Sequence, residues 1–332
     1  MTQRETNPYP FSDSNKRYQT YEYFTRRTFG GRVAKLPLDG GFTCPNIDGS
    51  RGTGGCIYCS ARGSGDFAPD ASLPIAEQIA RQKALYAHKW NSAAYIAYFQ
   101  ARTNTYAPVE VLREKFEEAL VQPGIVGLNI ATRADCLPQD AVDYLASLAG
   151  RTHLTVELGL QSSSDRTAAR IRRGHTWADF LDGYRRLRAA GGNISLCVHL
   201  IFGLPGEDDA RMLESVRDVA ALHPEQVKLH LLHVLRGTEM ERLWRAGDYQ
   251  PLEEAHYVRL LADALELLPP DTVIGRLTGD GARDELLAPL WTLRKTAVIN
   301  DLDKLMYAEN RWQGKRFQPD SPLPDEQGKG VK

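Results

Sequence analysis

The order of apolar and amphipathic segments limits the fold of this chain more than any other feature. Short apolar runs of strand length alternate with longer stretches of helical periodicity, the pattern of βα units around a parallel sheet. Six runs read as strands: Val33 to Leu38, Ala94 to Phe99, Gly127 to Ala131, His153 to Leu158, Ser195 to Phe202 and Val227 to Leu232. Helices are expected between them, from about Leu73 to Trp90, from Val109 to Val121, from Pro138 to Gly150 and from Trp177 to Ala190. Pro123, Gly124, Gly150, Gly191 and Gly192 supply the stop signals. Runs such as LCVHLIF (196–202) carry Ile, Val and Leu on both faces, which implies a sheet buried on two sides. Parallel crossovers of helix length then give an α/β partial (β/α)6 TIM-like barrel, with its working face at the strand C-termini.

Residues 1–25 form a polar N-terminal arm in this reading, 26–250 the partial barrel, 251–317 a C-terminal helical cap and 318–332 a tail rich in Pro, Asp and Gly that is expected to be disordered. The cap is expected to hold a helix from Glu253 to Leu268, a short run from Thr272 to Arg276 and a helix from Leu286 to Leu305. With 42% hydrophobic and 25% charged residues, the chain can bury an ordinary globular core. A net charge of −1 excludes a global basic field, so any nucleic-acid contact must come from local patches. Arg166, Arg170, Arg172 and Arg173, then Arg185, Arg186 and Arg188, and Arg311, Lys315 and Arg316 make such clusters, each also readable as a solvated helix face. The opening MTQRETNPYPFSDSNKRY has no apolar core of the signal-peptide kind, and no run of eighteen apolar residues occurs. A cytoplasmic protein without membrane association is therefore expected.

Three of the five cysteines stand together directly after the first strand: eleven residues separate Cys44 from Cys56 and two separate Cys56 from Cys59. The intervening PNIDGSRGTGG holds four glycines, which let the backbone wrap closely around an inorganic core. Thiolates suit iron-sulfur or zinc centres, and clustered cysteines in a reducing compartment favour metal over disulfides. Three thiolates on a cubane leave one iron open to a ligand. A structural zinc site would need a fourth protein donor, and the next His and Cys, His88 and Cys136, are distant. The spacing favours iron-sulfur and leaves zinc as the alternative.

Several segments resemble the radical S-adenosylmethionine (SAM) superfamily, in the branch of the elongator catalytic subunit, the methylthiotransferases (MiaB-like) and NifB, and within it the YhcC/YtqA-type subfamily. They are GFTCPNIDGSRGTGGCIYCS (41–60), AYFQARTNTYAP (97–108), IATRADCLP (130–138), VELGLQS (156–162), RRGHTW (172–177), HLIFGLPGE (199–207) and VKLHLLHVLRGT (227–238). The cysteine loop is longer than the superfamily's commonest spacing, a form that this subfamily shares.

The resemblance implies one [4Fe-4S] cluster on Cys44, Cys56 and Cys59, with SAM on the open iron, and a one-electron donor such as flavodoxin or ferredoxin. It implies reductive cleavage of SAM to a 5′-deoxyadenosyl radical. Gln100 and Ala101 stand where the family's motif holds the methionine amino group; Gln100 offers a side-chain carbonyl without the charge of the usual Glu, and Thr103 a hydroxyl. Glu157 matches a carboxylate that accepts from ribose hydroxyls, with Gln161 beside it. Gly203, Leu204 and Pro205 match the turn that lies against adenine.

His199, His230 and His233 lie in expected strands, and the period-two rule puts Lys228 and His230 on one face and His233 on the other. Facing inward, Lys228 and His230 are candidates to hold an anionic substrate group or relay a proton. Cys136 and Cys197 are too few for a second cluster; Cys197 is a candidate hydrogen-atom donor. Kinship to elongator points to tRNA as a possible partner, with the wobble uridine as target. RRTFGGR (26–32) and RWQGKRF (311–317) offer basic and aromatic groups for RNA. A small metabolite as substrate and a non-catalytic zinc scaffold are the competing readings.

Overall fold

A computed structural model describes residues 7–63, 65–87, 94–279, 281 and 283–319. Along the chain run α1 (Tyr21–Phe29), β1 (Val33–Leu38), α2 (Ile75–Ala87), β2 (Ala94–Phe99), α3 (Val109–Leu120), β3 (Ile125–Thr132), α4 (Gln139–Ala149) and β4 (His153–Gln161). Then follow α5 (Asp165–Arg170), α6 (Trp177–Ala189), β5 (Ser195–Phe202), α7 (Asp209–Ala221), β6 (Gln226–Leu231), β7 (Val234–Leu235) and α8 (Glu239–Ala246). The chain continues with α9 (Glu254–Leu267), β8 (Val273–Arg276), β9 (Leu286–Ala288), a 3-10 turn (Leu290–Arg294) and α10 (Lys295–Ala308).

Seven strands make one parallel sheet in the order β1-β2-β3-β4-β5-β6-β8, curled into a half-barrel. The α/β partial barrel is therefore as expected, with one strand more than the six counted. The extra strand, β8, is the run assigned to the cap: Val273 and Ile274 pair in parallel with Gln226 and Val227. Four residues are too few for a period to announce a strand. The expected helix from Leu286 is also corrected, because Pro289 cannot continue a hydrogen-bonded helix, and the segment opens as β9 paired to β7 before α10 begins. Positions 88–90, where α2 was expected to end, and the tail beyond Pro319 lie outside the described residues.

Alternation along the strands separates two chemistries. Leu36 and Leu38, Leu128 and Ile130, Val156 and Leu158, Val198 and Leu200, and Val227 and Leu229 are fully buried under the helices, in one core with Phe116, Phe180, Tyr257 and Leu261. Each such side chain contributes about 1.5–3 kcal/mol by leaving water. The concave face carries Lys35, Tyr98, Asn129, Glu157, His199 and Lys228. Burial on both faces is thus present, but the expectation of apolar residues on both is corrected: the inner layer is polar and gathers around Glu157.

The N-terminal segment is bound to this body. The Ile274 N–H donates to Gln19 O at 2.8 Å and extends the parallel pairing past β8, while buried Arg17 donates to Asn310 Oδ1 at 2.8 Å. Thr20 caps α1 by accepting from Tyr23 N, and Gly30 ends the helix in a left-handed conformation at φ 71°. α1 packs at the strand N-termini, with Phe24 and Phe29 against His153 and the Lys35 ammonium over the Tyr21 ring at 4.1 Å. Among the described residues, no helix is long and apolar enough to cross a membrane.

Candidate active site

The cysteine loop leaves the C-terminal end of β1 and is held by its own backbone. Ile47 N donates to Cys44 O at 2.8 Å, Gly55 N to Asn46 O at 2.8 Å and Cys59 N to Cys56 O at 3.0 Å. Gly54 and Gly55 sit at φ 79° and 77°, a left-handed pair that side chains resist. Ile57 N donates to Ile171 O at 3.1 Å and Met240 N to Ile57 O at 3.1 Å, so the loop is tied across the barrel mouth to the segments around α5 and α8.

Asn46 is the hinge of this arrangement. Its buried amide donates to the carbonyls of Arg172 and Arg173, both at 2.8 Å, and lies 3.3 Å from Cys56 Sγ. A Cβ at Gly174 would stand 2.2 Å from Asn46 Oδ1, so only glycine admits this contact. Arg173 donates to Gly159 O at 2.5 Å and places a second guanidinium nitrogen 3.9 Å from Cys56 Sγ. Arg133 holds Asp135 with two bonds of 2.9 Å and donates to Arg173 O at 2.8 Å. Burial, together with the neighbouring Cys56 and Cys44, pushes the Cys59 thiol up to about 12. A buried thiol of this kind ionises readily only when a cation shares its charge, which fits a metal centre at Cys59.

A cavity of about 230 Å³ opens under the loop, lined by Cys44, Cys56 and Cys59 together with Gln100, Thr103, Gln161, Arg173, His230 and Arg276. Gln161 reaches it through a register shift between Gly159 and Gln161, with its backbone at φ 77°. Such strain in a residue other than glycine is held where a side chain must be re-aimed.

Glu157 lies below, fully buried. Tyr98 donates to it at 2.7 Å, Asn129 at 2.7 Å, His199 Nε2 stands at 3.0 Å, Lys35 at 3.3 Å, and Lys228 is its closest ion-pair partner. Burial alone would raise its pKa, but Lys228 and Lys35 outweigh it and hold the carboxyl well below the usual range. Burial lowers Lys228 to about 8, with Glu157 opposing the shift. Ribose hydroxyls could reach Glu157 only by displacing one of these donors. Glu157, Cys197 and His199 also bring three metal-ligand atoms together, but two ammoniums already neutralise the carboxylate and disfavour a cation there.

The structure brings together Cys44, Cys56, Cys59, Gln100, Thr103, Glu157, Gln161 and His230 around one cavity. Lys228 is buried behind it, bonded to Tyr98 at 3.0 Å, and Cys197 is fully buried beside Glu157 without lining the cavity. Gly203, Leu204 and Pro205 turn beyond β5 and also do not line it; Gly203 O accepts from Tyr249 at 2.9 Å, and Leu204 packs with Ile57 and Ile171. His233 is corrected: β6 ends at Leu231, the period-two rule lapses, and His233 lines the same cavity as His230. Arg173 is likewise no solvated face but a buried anchor.

The sequence reading missed Asn46, Arg133, Arg173, Tyr98, Asn129 and Arg276. The only signal for Tyr98 and Asn129 was a polar group at an inward position of an otherwise apolar strand.

The sequence profile of the radical SAM superfamily matches residues 47–219, and that of the radical SAM C-terminal domain matches residues 224–308. YtqA of Bacillus subtilis is 46% identical over 314 residues, spanning 95% of this chain and 97% of its own. The tRNA uridine(34) acetyltransferase of Methanocaldococcus jannaschii is 29% identical over 158 residues, 47% of this chain and 28% of that protein. The solved structure of Elp3 from Methanocaldococcus infernus, lacking residues 1–46, superposes with a TM-score of 0.62 at 16% identity, covering 85% of this chain and 64% of that one.

Proposed function

Because the chain belongs to the radical SAM superfamily, an enzyme class that works with a [4Fe-4S] cluster, SAM and a reductant, we propose that Cys44, Cys56 and Cys59 hold the cluster and that the substrate is a tRNA wobble uridine. The zinc scaffold falls away with the enzyme class. When bound, cluster and SAM supply a 5′-deoxyadenosyl radical that abstracts a hydrogen atom from substrate.

The observation that carries the reading is the convergence of three thiols, with no fourth cysteine among the described lining residues, on a cavity that also offers polar groups from several strands. Asn46 and Arg173 orient Cys56 and place hydrogen-bond donors toward its sulfur. Gln100, Thr103 and Gln161 are available to SAM from the ends of β2 and β4. The saturated charge layer around Glu157 holds these strand ends rigidly and closes the bottom of the cavity.

For the substrate, the support is similarity to a tRNA uridine(34) acetyltransferase over 158 residues. The match spans 28% of that protein, so acetyl transfer is not carried over. Nucleoside mass spectrometry of tRNA from cells with and without the gene tests the target. Loss of one modified uridine at the wobble position supports it, and an unchanged profile points to a small metabolite instead.

A further inference from the structure

The wall formed by the C-terminal ends of β6 and β8 has no role in the account so far. His230 and His233 both line the cavity there, and the Nε2 atoms of both are buried without a hydrogen-bond partner. A buried polar atom left unsatisfied costs about 1–3 kcal/mol, so two on one wall call for a ligand. The space is built for them: a Cβ at Gly279 would stand 2.6 Å from the His233 ring, and one at Gly281 3.1 Å from it. His199 brings its ring 5.4 Å from that of His230, but its Nε2 is already taken by Glu157.

Among the described residues, the charge lining this wall is cationic. Arg276 lines it beside the imidazoles. Among the described residues, the cavity's only carboxylates are Glu157, neutralised by Lys35 and Lys228, and Asp66 on the cysteine-loop side. The groups acting on His230 are Arg276, His199 from β5, Lys228 from β6 and His233; those acting on His233 are Lys295 at the start of α10 and Arg276. Burial first, then Arg276 for His230 and Lys295 for His233, keep both imidazoles neutral at pH 7, His233 at about 4. An anion entering here would meet donors and positive potential, and would favour protonation of the rings it touches.

We infer that His230, His233 and Arg276 form an anion subsite that takes an oxyanion group of the substrate, a carboxylate or a phosphate, and couples its binding to proton uptake. The inference deepens the proposed function and rests on it for the statement that the anion belongs to the substrate. A phosphate would come from a nucleotide backbone and a carboxylate from a substituent.

The test is isothermal titration calorimetry of the full-length, cluster-loaded protein without RNA. Sodium phosphate and sodium acetate are titrated separately against a chloride control at equal ionic strength, in two buffers of different ionisation enthalpy. At least one of the two anions is expected to bind with uptake of a proton. In His230→Gln/His233→Gln the affinity is expected to fall at least tenfold and proton uptake to vanish, while iron content and melting temperature stay unchanged. Arg276→Lys serves as the second variant should the double fail to fold, with a smaller loss expected because Lys keeps the charge but not the fork. The preferred probe tells phosphate from carboxylate. Binding of neither anion, binding without proton uptake, or equal binding in all variants overturns the subsite. An unchanged wobble nucleoside profile overturns only the RNA reading, so the two failures are distinguishable.

Discussion

Two polar regions share the concave side of the half-barrel, and they are built on opposite principles. At the mouth, the cysteine loop is fixed through backbone bonds and through Asn46, so that three thiols are positioned by neighbours yet not consumed by them. On the floor, Glu157 is saturated by Tyr98, Asn129, His199, Lys35 and Lys228, groups from five strands. Held and unsaturated groups await a ligand; saturated ones hold strands in register.

Removing a floor residue should therefore cost stability, whereas removing a mouth residue should cost cofactor. Glu157→Ala leaves two ammoniums facing each other in the interior and is expected to destabilise the apo protein by about 3–5 kcal/mol in chemical denaturation. Cys56→Ser should change the same measurement little. Equal losses for both would erase the distinction.

Acid should strike the floor next. Burial, with Lys228 adding to it, lowers His199 to about 4, so its imidazole protonates more easily in the unfolded chain. A group with a depressed folded pKa contributes stability that is present above its ordinary value near 6.5 and lost as pH falls through the folded one. Unfolding free energy is thus expected to drop by roughly 2 kcal/mol between pH 6.5 and pH 4 on account of His199. His199→Gln should flatten that limb. An unaltered limb would mean that acid acts elsewhere.

Replacing charge by shape should do less harm. Glu157→Gln combined with Lys228→Met removes both members of the closest buried pair, and it is expected to cost less than half as much as Glu157→Ala. A double variant as unstable as the single one would show that the ions themselves are required. Smallest of all is Arg81→Ala on α2, whose partner Glu77 is also exposed. Its melting temperature should stay within about 1 °C of the parent, the usual worth of a surface ion pair.

The same contrast explains what could be read from the sequence. The loop was legible because its ligands are local: Cys44, Cys56 and Cys59 fall within sixteen positions, with glycines that only a tight wrap requires. The barrel was legible because each strand and helix carries its own period. The floor was not, since Lys35, Tyr98, Asn129, Glu157 and Lys228 come from five strands and their meeting depends on register, as where Ala131 pairs with Glu157 and Tyr98 with Asn129. β8 was missed for its length, and His233 because a strand ended two residues before it. Arg173 looked like part of a basic cluster; nothing in RRGHTW tells a solvated arginine from one anchored under a loop.

The central claim is that the three loop cysteines, and no other residues of the chain, hold the cluster. The most direct measurement is iron and sulfide content with 5′-deoxyadenosine formation, under anaerobic reconstitution with SAM and a strong reductant, for the parent, each of Cys44→Ala, Cys56→Ala and Cys59→Ala, and Cys136→Ala/Cys197→Ala. The account predicts about four irons per chain and deoxyadenosine in the parent and in the Cys136/Cys197 double variant, with both lost in each loop variant. Full iron and SAM cleavage in any one of the three loop variants would contradict it.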